Sequence, residues 1–222
     1  GQMLANIAHQ WRQPLTELNL TLFNMKKASI HNNEKKVDEL YKESKTLISS
    51  MSSTIDDFTN FFNPQKEKKS FEIKDAINEA LIILRKVIEV ENIHIQIDVP
   101  INYKVIGVSN ELSQVIINLI QNSKDAFIQN DIKNKTIIIT LKEELILDKK
   151  YALLEIKDNA GGISKENIDK IFDPYFTTKY KSQGTGLGLF MSKMIIEKSL
   201  EGELSHKNCD DGSIFIIKLI LG

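Results

Sequence analysis

Gly184-Thr185-Gly186-Leu187-Gly188-Leu189 sets three glycines at alternate positions, at the head of a helical pattern running from Leu187 to about Lys198. Glycine leaves backbone N–H groups uncovered, and a helix start presents such groups with a partial positive charge. Phosphates of a nucleotide suit a loop of this kind. Glycines alone are a weak signal. Their weight comes from three companion stretches upstream, in a set order, and from a histidine-bearing helix that begins the chain.

The first companion is Asn118-Leu119-Ile120-Gln121-Asn122-Ser123-Lys124-Asp125-Ala126, late in a helical pattern spanning about 110–129. Asn118 and Asn122 are four apart, so both amides project from one helix face. Amide and carboxylate oxygens suit Mg²⁺, which keeps several waters and shares substrate phosphates. Next comes Asp158-Asn159-Ala160-Gly161-Gly162-Ile163, directly after a β-rich run. A carboxylate there can accept a hydrogen bond from an exocyclic amine such as that of adenine. The same residues would also make an ordinary strand-ending turn. Third is Ile171-Phe172-Asp173-Pro174-Tyr175-Phe176-Thr177-Thr178-Lys179, aromatics around a proline. Beyond it, Lys179-Tyr180-Lys181-Ser182-Gln183 reads as a polar lid able to close on a ligand.

Outward from these motifs the chain has two grammars. Residues 1 to about 62 are helical only. Leu4, Ala8, Trp11, Leu15, Leu18, Leu22 and Met25 form one apolar stripe. Val37, Leu40, Ser44, Leu47, Met51, Thr54, Phe58 and Phe61 form another, after a polar turn at His31-Asn32-Asn33. This spacing marks two helices packed lengthwise, ended by Asn63-Pro64. A lone hairpin buries its stripe poorly, so the expectation is a homodimer whose two hairpins make a four-helix bundle. From Phe71 onward helical stretches (about 75–90, 110–129, 165–172 and 186–198) alternate with β-rich runs at 93–97, 136–141, 152–156 and 213–219. Runs without strict βαβ alternation predict an α+β sandwich, helices on one face of a mixed sheet. The expected domains are 1–64 and 65–222.

Composition narrows the function classes. With 222 residues, 41% of them hydrophobic, and a net charge of −1, the chain can bury a core and shows no basic stripe for nucleic acid. Cys209 is the only cysteine, which excludes an internal disulfide and points to a reducing, cytoplasmic compartment. No apolar run approaches the roughly 20 residues of a membrane span, so no membrane contact is expected here. No signal peptide is visible. Gly1 leads straight into helical pattern, as if cut from a longer parent, which a membrane could anchor.

These boxes resemble the N, G1, F and G2 boxes of sensor histidine kinases, whose GHKL-type ATP-binding domain has the Bergerat-type fold shared with gyrase and the ninety-kilodalton heat-shock chaperones. The resemblance covers nearly the whole chain. It implies ATP and Mg²⁺ as cofactors. Asn122 would coordinate Mg²⁺ with Asn118 assisting, and Asp125 belongs to the same motif. Asp158 would bind the adenine amine, and Gly162 would line the base pocket. Gly184, Gly186 and Gly188 would wrap the phosphates, with Thr185 and Leu187 between them. Lys179 or Lys181 would approach the phosphates from the lid. Ala160 stands where the family's first G1 glycine would be. ATP-hydrolysing relatives carry a glutamate at the position of Asn118; an amide cannot take a proton, so the site should hold ATP without efficient hydrolysis.

His9-Gln10-Trp11-Arg12-Gln13-Pro14-Leu15 resembles the phosphoacceptor box of the same family. At about 100° per residue His9 lies nearly opposite the stripe that holds Trp11 and Leu15. An exposed imidazole is largely neutral at pH 7 and nucleophilic. Pro14 lacks the N–H that would bond the carbonyl of Gln10, which loosens the helix beside His9. Gln10 replaces the usual acid after the histidine and can orient the ring without acting as a base. Gln13 shares the face of His9 and can position a water for phosphatase chemistry. The resemblance thus implies ATP-dependent autophosphorylation of His9 and transfer to an aspartate of a response regulator. The alternative is a nucleotide-gated interaction module, or a regulator phosphatase with weak kinase activity. Position alone suggests Asn19, Thr21 and Phe23 for the regulator-facing surface. His31, His94 and His206 read as surface histidines without a role.

Overall fold

The computed structural model describes residues 2–61, 67–179 and 186–221; in the first span side chains are described for 15–49, 51 and 52. The chain divides into two compact units, Gly1–Asn63 with Thr177–Thr185, and Pro64–Phe176 with Gly186–Gly222.

In the first unit, α1 (Gln2–Ile30) and α2 (Glu34–Phe61) pack as an antiparallel hairpin. The turn between them is local chemistry. Asn32 takes positive φ, a conformation its short amide tolerates, and the Asn33 side chain caps α2 by accepting the Lys36 N–H at 3.1 Å. His31 Nδ1 lies 2.7 Å from the Lys27 carbonyl, close enough to serve one of the orphan acceptors that end α1. The stripe of α2 packs as its spacing predicts: Leu40, Ser44 and Leu47 are buried, and the Ser44 hydroxyl donates to the Leu40 carbonyl at 2.7 Å. The stripe of α1 is rotated from expectation. Thr21 is buried, with Leu18 and Met25 half-buried, while Leu15 and Leu22 remain 50% and 42% exposed. A buried Thr21 also removes it from the regulator-facing surface read from position; Asn19 and Phe23 are exposed. The expected helix stop at Asn63-Pro64 lies outside the described residues.

The second unit is α+β, helices on one face of a mixed sheet, as the sequence predicts. Five strands lie in the order β2-β4-β5-β7-β6: β2 (His94–Asp98), β4 (Thr136–Ile146), β5 (Lys149–Asp158), β6 (Glu203–Asn208) and β7 (Ser213–Ile220). Among the described strands only β2 and β4 pair in parallel. A separate antiparallel pair joins β1 (Lys69–Glu72) to β3 (Lys104–Gly107). Alternation in β4, β5 and β7 turns one face inward, and register stacks that face into rungs across the sheet. Leu141, Leu154, Ile217 and Leu204 make an apolar rung. The next holds Ile139, Ile156, Phe215 and His206. One step further, past Ile137 and Asp158, β7 and β6 close with Ser213 and Asn208. Polarity therefore rises toward one end of a continuous core.

Over this face lie α3 (Ile73–Val90) and α4 (Ser109–Gln129). In α4 Leu112, Val115, Ile116, Leu119, Ile120 and Phe127 are essentially inaccessible; in α3 Ile73, Ala76, Ile77, Ala80 and Leu84 answer them. Each fully buried aliphatic or aromatic side chain contributes about 1.5–3 kcal/mol of burial. Two polar contacts join these helices to their neighbours: the Ser113 hydroxyl donates to Glu79 at 2.6 Å, and the Ser199 hydroxyl donates to the carboxylate of Glu111. The last helix, α5 (Gly188–Met194), widens into a π-helical turn over Ile195–Ser199.

One expectation fails here. Residues 165–172 form turns around a short 3-10 segment, Ile168–Lys170, because only a few apolar positions there (Ile168, Ile171) find the core and Pro174 follows closely. Strands β1, β3 and β6 carry no marked apolar run and were invisible to periodicity; β6 has a single apolar residue, Leu204, and is held by its pairing to β7.

Candidate nucleotide-binding site

Asp158 ends β5 with its side chain on the inward face, 4% exposed. Three donors hold it: the Ser123 hydroxyl at 2.7 Å on Oδ2, and the backbone N–H groups of Ala160 at 3.0 Å and Ser213 at 3.2 Å on Oδ1. An ionised carboxylate offers about four acceptor positions, so among the described residues one remains, on Oδ2. A single exocyclic amine fits that vacancy. Rigid backbone and hydroxyl donors fix the carboxylate in advance, which is what recognition of one amine needs.

After Asp158 the chain turns away through Ala160, Gly161 and Gly162. Ala160 is not among the residues of positive φ, so the missing glycine costs nothing; its carbonyl accepts the Asn130 side chain at 2.6 Å. Gly162 does have positive φ, and the next residue is gripped by Asn208, whose Oδ1 accepts the Ile163 N–H at 2.9 Å and whose Nδ2 donates to the Ile163 carbonyl at 2.7 Å. The G1 loop is thereby fastened to β6.

The two amides of α4 are half-buried on the helix face, as the four-residue spacing predicts. The Asn118 Nδ2 donates to the Ser192 hydroxyl of α5 at 2.8 Å. Gly188, first residue of α5, lies against the same amide so closely that a Cβ would overlap it. The start of α5 and the N box therefore meet backbone to side chain. Just before it, Gly186 sits at φ 66°, packed on the backbone of Tyr175, whose N–H donates to the Gly186 carbonyl at 2.8 Å. Only glycine satisfies both demands. Leu187 is 5% exposed; its side chain belongs to the core, and only its backbone can face a ligand. Asp125 pairs with Lys124 at 2.8 Å. The Lys179 N–H donates to the Thr177 hydroxyl at 3.1 Å.

Structure thus brings Asn118, Asn122, Asp158, Gly162, Gly186 and Gly188 into one unit. Gly184, Thr185 and residues 180–183, expected to form a lid and including Lys181, lie outside the described residues. His9, Gln10 and Gln13 lie in α1, their side chains also outside the described residues. Among the described residues no group of three His, Cys, Asp or Glu side chains could hold a metal.

Several participants escaped sequence reasoning. Ser123 occupies a buried stripe position between Leu119 and Phe127, and a hydroxyl there was the available signal. Ser192, Ser213 and Asn208 gave none, because their partners come from distant segments. His206, read as a surface residue, is half-buried instead: its ring centroid lies 4.9 Å from that of Phe215, and its Nε2 lies 3.2 Å from the Ser213 hydroxyl.

Comparison with known proteins agrees with this geometry. The family described as "Histidine kinase-, DNA gyrase B-, and HSP90-like ATPase" matches residues 107–222. Two-component sensor PprA of Pseudomonas aeruginosa is 29% identical over 229 residues, covering 100% of this chain and 24% of PprA. Sporulation kinase A of Bacillus subtilis is 31% identical over 200 residues, 89% of this chain and 30% of its own length. The chain thus spans about a quarter to a third of these curated relatives. Among solved structures, the catalytic domain of histidine kinase ThkA superposes with a TM-score of 0.60 at 29% identity, over 70% of this chain and 97% of that one. ThkA in complex with response regulator protein TrrA shares the fold over 100% of this chain and 62% of that one, at TM-score 0.70 and 24% identity. No helix among the described residues is long and apolar enough to cross a membrane. A buried carboxylate at the end of β5, amides on α4 and a glycine-led helix meet in the segment that the family description covers, and the chain belongs to the histidine kinase-, DNA gyrase B-, and HSP90-like ATPase family, as the catalytic core of a sensor histidine kinase.

Proposed function

We propose that this chain binds ATP with Mg²⁺, transfers the γ-phosphoryl group to His9, and passes it to an aspartate of a response regulator. The observation that carries the reading is Asp158, pre-ordered by three donors with one acceptor position left for an amine. The Asn122 amide oxygen serves the cation, with Asn118 assisting; phosphates and water supply the remaining ligands, as is usual for Mg²⁺. The glycines at the start of α5 offer backbone N–H groups to the phosphates. Asn118 cannot act as a base toward water, so the phosphoryl group is kept for the imidazole. Residues 1–64 serve as the dimerisation and phosphotransfer domain and 65–222 as the catalytic domain, in a cytoplasmic setting.

Exposed apolar rows support a dimer. Leu15 and Leu22 on α1, and Tyr41 and Ile48 on α2, lie seven apart and uncovered within the single hairpin. A second copy covers such rows in a four-helix bundle.

Radiolabelled γ-phosphate tests the proposal. Label on the protein should be acid-labile, absent in His9→Ala and in Asn122→Ala, and chaseable to a receiver domain. Nucleotide binding without any label would refute the kinase reading and leave a nucleotide-gated module.

A further inference from the structure

His206 occupies a core position with a group that titrates. It shares the inward face of β6 with Leu204, and its rung neighbours are Phe215, Ile156 and Ile139. Phe172 meets Phe215 edge-on at 6.5 Å, closing the aromatic cluster. One ring nitrogen, Nε2, is 3.2 Å from the Ser213 hydroxyl; the other, Nδ1, is buried with no partner among the described residues. A bare acceptor costs less there than a buried N–H without an acceptor, so the proton belongs on Nε2, donated to Ser213. The backbone N–H of the same Ser213 holds Asp158 Oδ1. A short relay therefore runs from His206 through Ser213 to the carboxylate that receives the amine.

We propose that His206 is a positioning residue of the base site, fixing Asp158 through Ser213, and that its protonation opposes nucleotide binding. The inference rests on the nucleotide reading above. A proton added at Nδ1 would find no acceptor, and a base docked beside Asp158 would strip further water from the ring. Both favour the neutral imidazole in the complex. Burial already pushes the His206 pKa down from its ordinary value, against the opposing pull of Asp158.

The charged surroundings are few. On the inward face of β7 stand Ser213, Phe215, Ile217 and Leu219, none ionisable. Asp158 is the carboxylate at the end of β5. From α5, Lys193 lies 4.6 Å from the Phe172 ring centroid and 3.6 Å from Glu197. Glu203 and Lys207 on β6 alternate to the other face, Glu203 paired with Lys218, and in the following loop Asp211 pairs with Lys157 at 3.6 Å. His206 is the group among these whose ordinary titration falls near neutrality.

The test measures Mg²⁺·ADP affinity of the whole chain from pH 5 to 8 by calorimetry, for the native protein and His206→Gln. Glutamine keeps a donor for Ser213 and does not titrate. Native affinity should fall below the histidine's midpoint with a limiting slope of about tenfold per pH unit, one proton's worth. The variant should lose that part of the slope; titration of the nucleotide itself is common to both proteins and cancels. In the native protein alone, the His206 ring NMR midpoint should move down on adding nucleotide, a readout that needs no variant. Identical pH slopes in both proteins, or an unmoved midpoint, would overturn the inference while leaving the nucleotide reading intact. Failure to bind at any pH would overturn both.

Discussion

Replacing Asp158 by asparagine separates the carboxylate's structural work from its recognition of a base. The amide can keep its oxygen toward the two N–H groups of Ala160 and Ser213 and turn its NH₂ toward Ser123. Ser123 can then accept, because its own proton has a second acceptor in the Leu119 carbonyl at 3.3 Å. No buried donor is stranded, so the fold should survive. Three charge-assisted hydrogen bonds become neutral ones, a loss of about 1 kcal/mol each. The expected destabilisation is about 3 kcal/mol, a melting-temperature drop of roughly 6–12 °C for a chain of this size. Recognition should suffer differently. The one free acceptor position becomes a donor facing the donor of an exocyclic amine. Losing a hydrogen bond to a charged group and leaving an amine unmatched costs about 2–3 kcal/mol, which is about 30–150-fold in Kd. Calorimetric titration with Mg²⁺·ATP measures the affinity, and circular dichroism with thermal melting measures the fold. An unchanged Kd in a folded variant would refute the assignment of Asp158 to the base. A variant that cannot fold would refute the claim that its donors can be re-matched.

Gly186→Ala should lose nucleotide binding while the sheet survives: left-handed backbone costs alanine about 1–2 kcal/mol, and its Cβ would press on the Tyr175 backbone; near-native affinity would refute the close packing of the F and G2 boxes. Ser192→Val removes the acceptor of the Asn118 amide, with an expected loss of about 1–3 kcal/mol in denaturant unfolding, more than Ser→Val at an exposed site would show. The His206 pKa is depressed in the folded chain, so the unfolded chain binds the extra proton: its stabilising contribution is complete above about pH 6.5 and declines as pH falls toward the folded midpoint. Melting curves from pH 5 to 8 should show that decline in the native protein and a smaller one in His206→Gln.

The sequence by itself determined local things. Alternation set which face of β4, β5 and β7 turns inward, helical spacing set the buried stripe of α2 and the extent of α4, and His31-Asn32-Asn33 set the hairpin turn, because each signal is carried by neighbours a few residues apart. The candidate site was largely legible for the same reason: Asn118 and Asn122 share a helix face, and Asp158 and the glycines mark strand and helix ends. What only the tertiary structure decided depends on residues far apart in the chain. Strand β6 is defined by the partner it pairs with rather than by its own composition. The α1 stripe rotates toward Thr21 because a neighbouring helix, not the apolar spacing alone, chooses the covered face. Asp158 is held by Ser123 and Ser213, 35 and 55 residues away, and His206 is drawn into the core by Phe215 across a strand pair. A one-dimensional pattern records polarity and period; it does not record which distant donor will meet which acceptor once the sheet has closed against its helices.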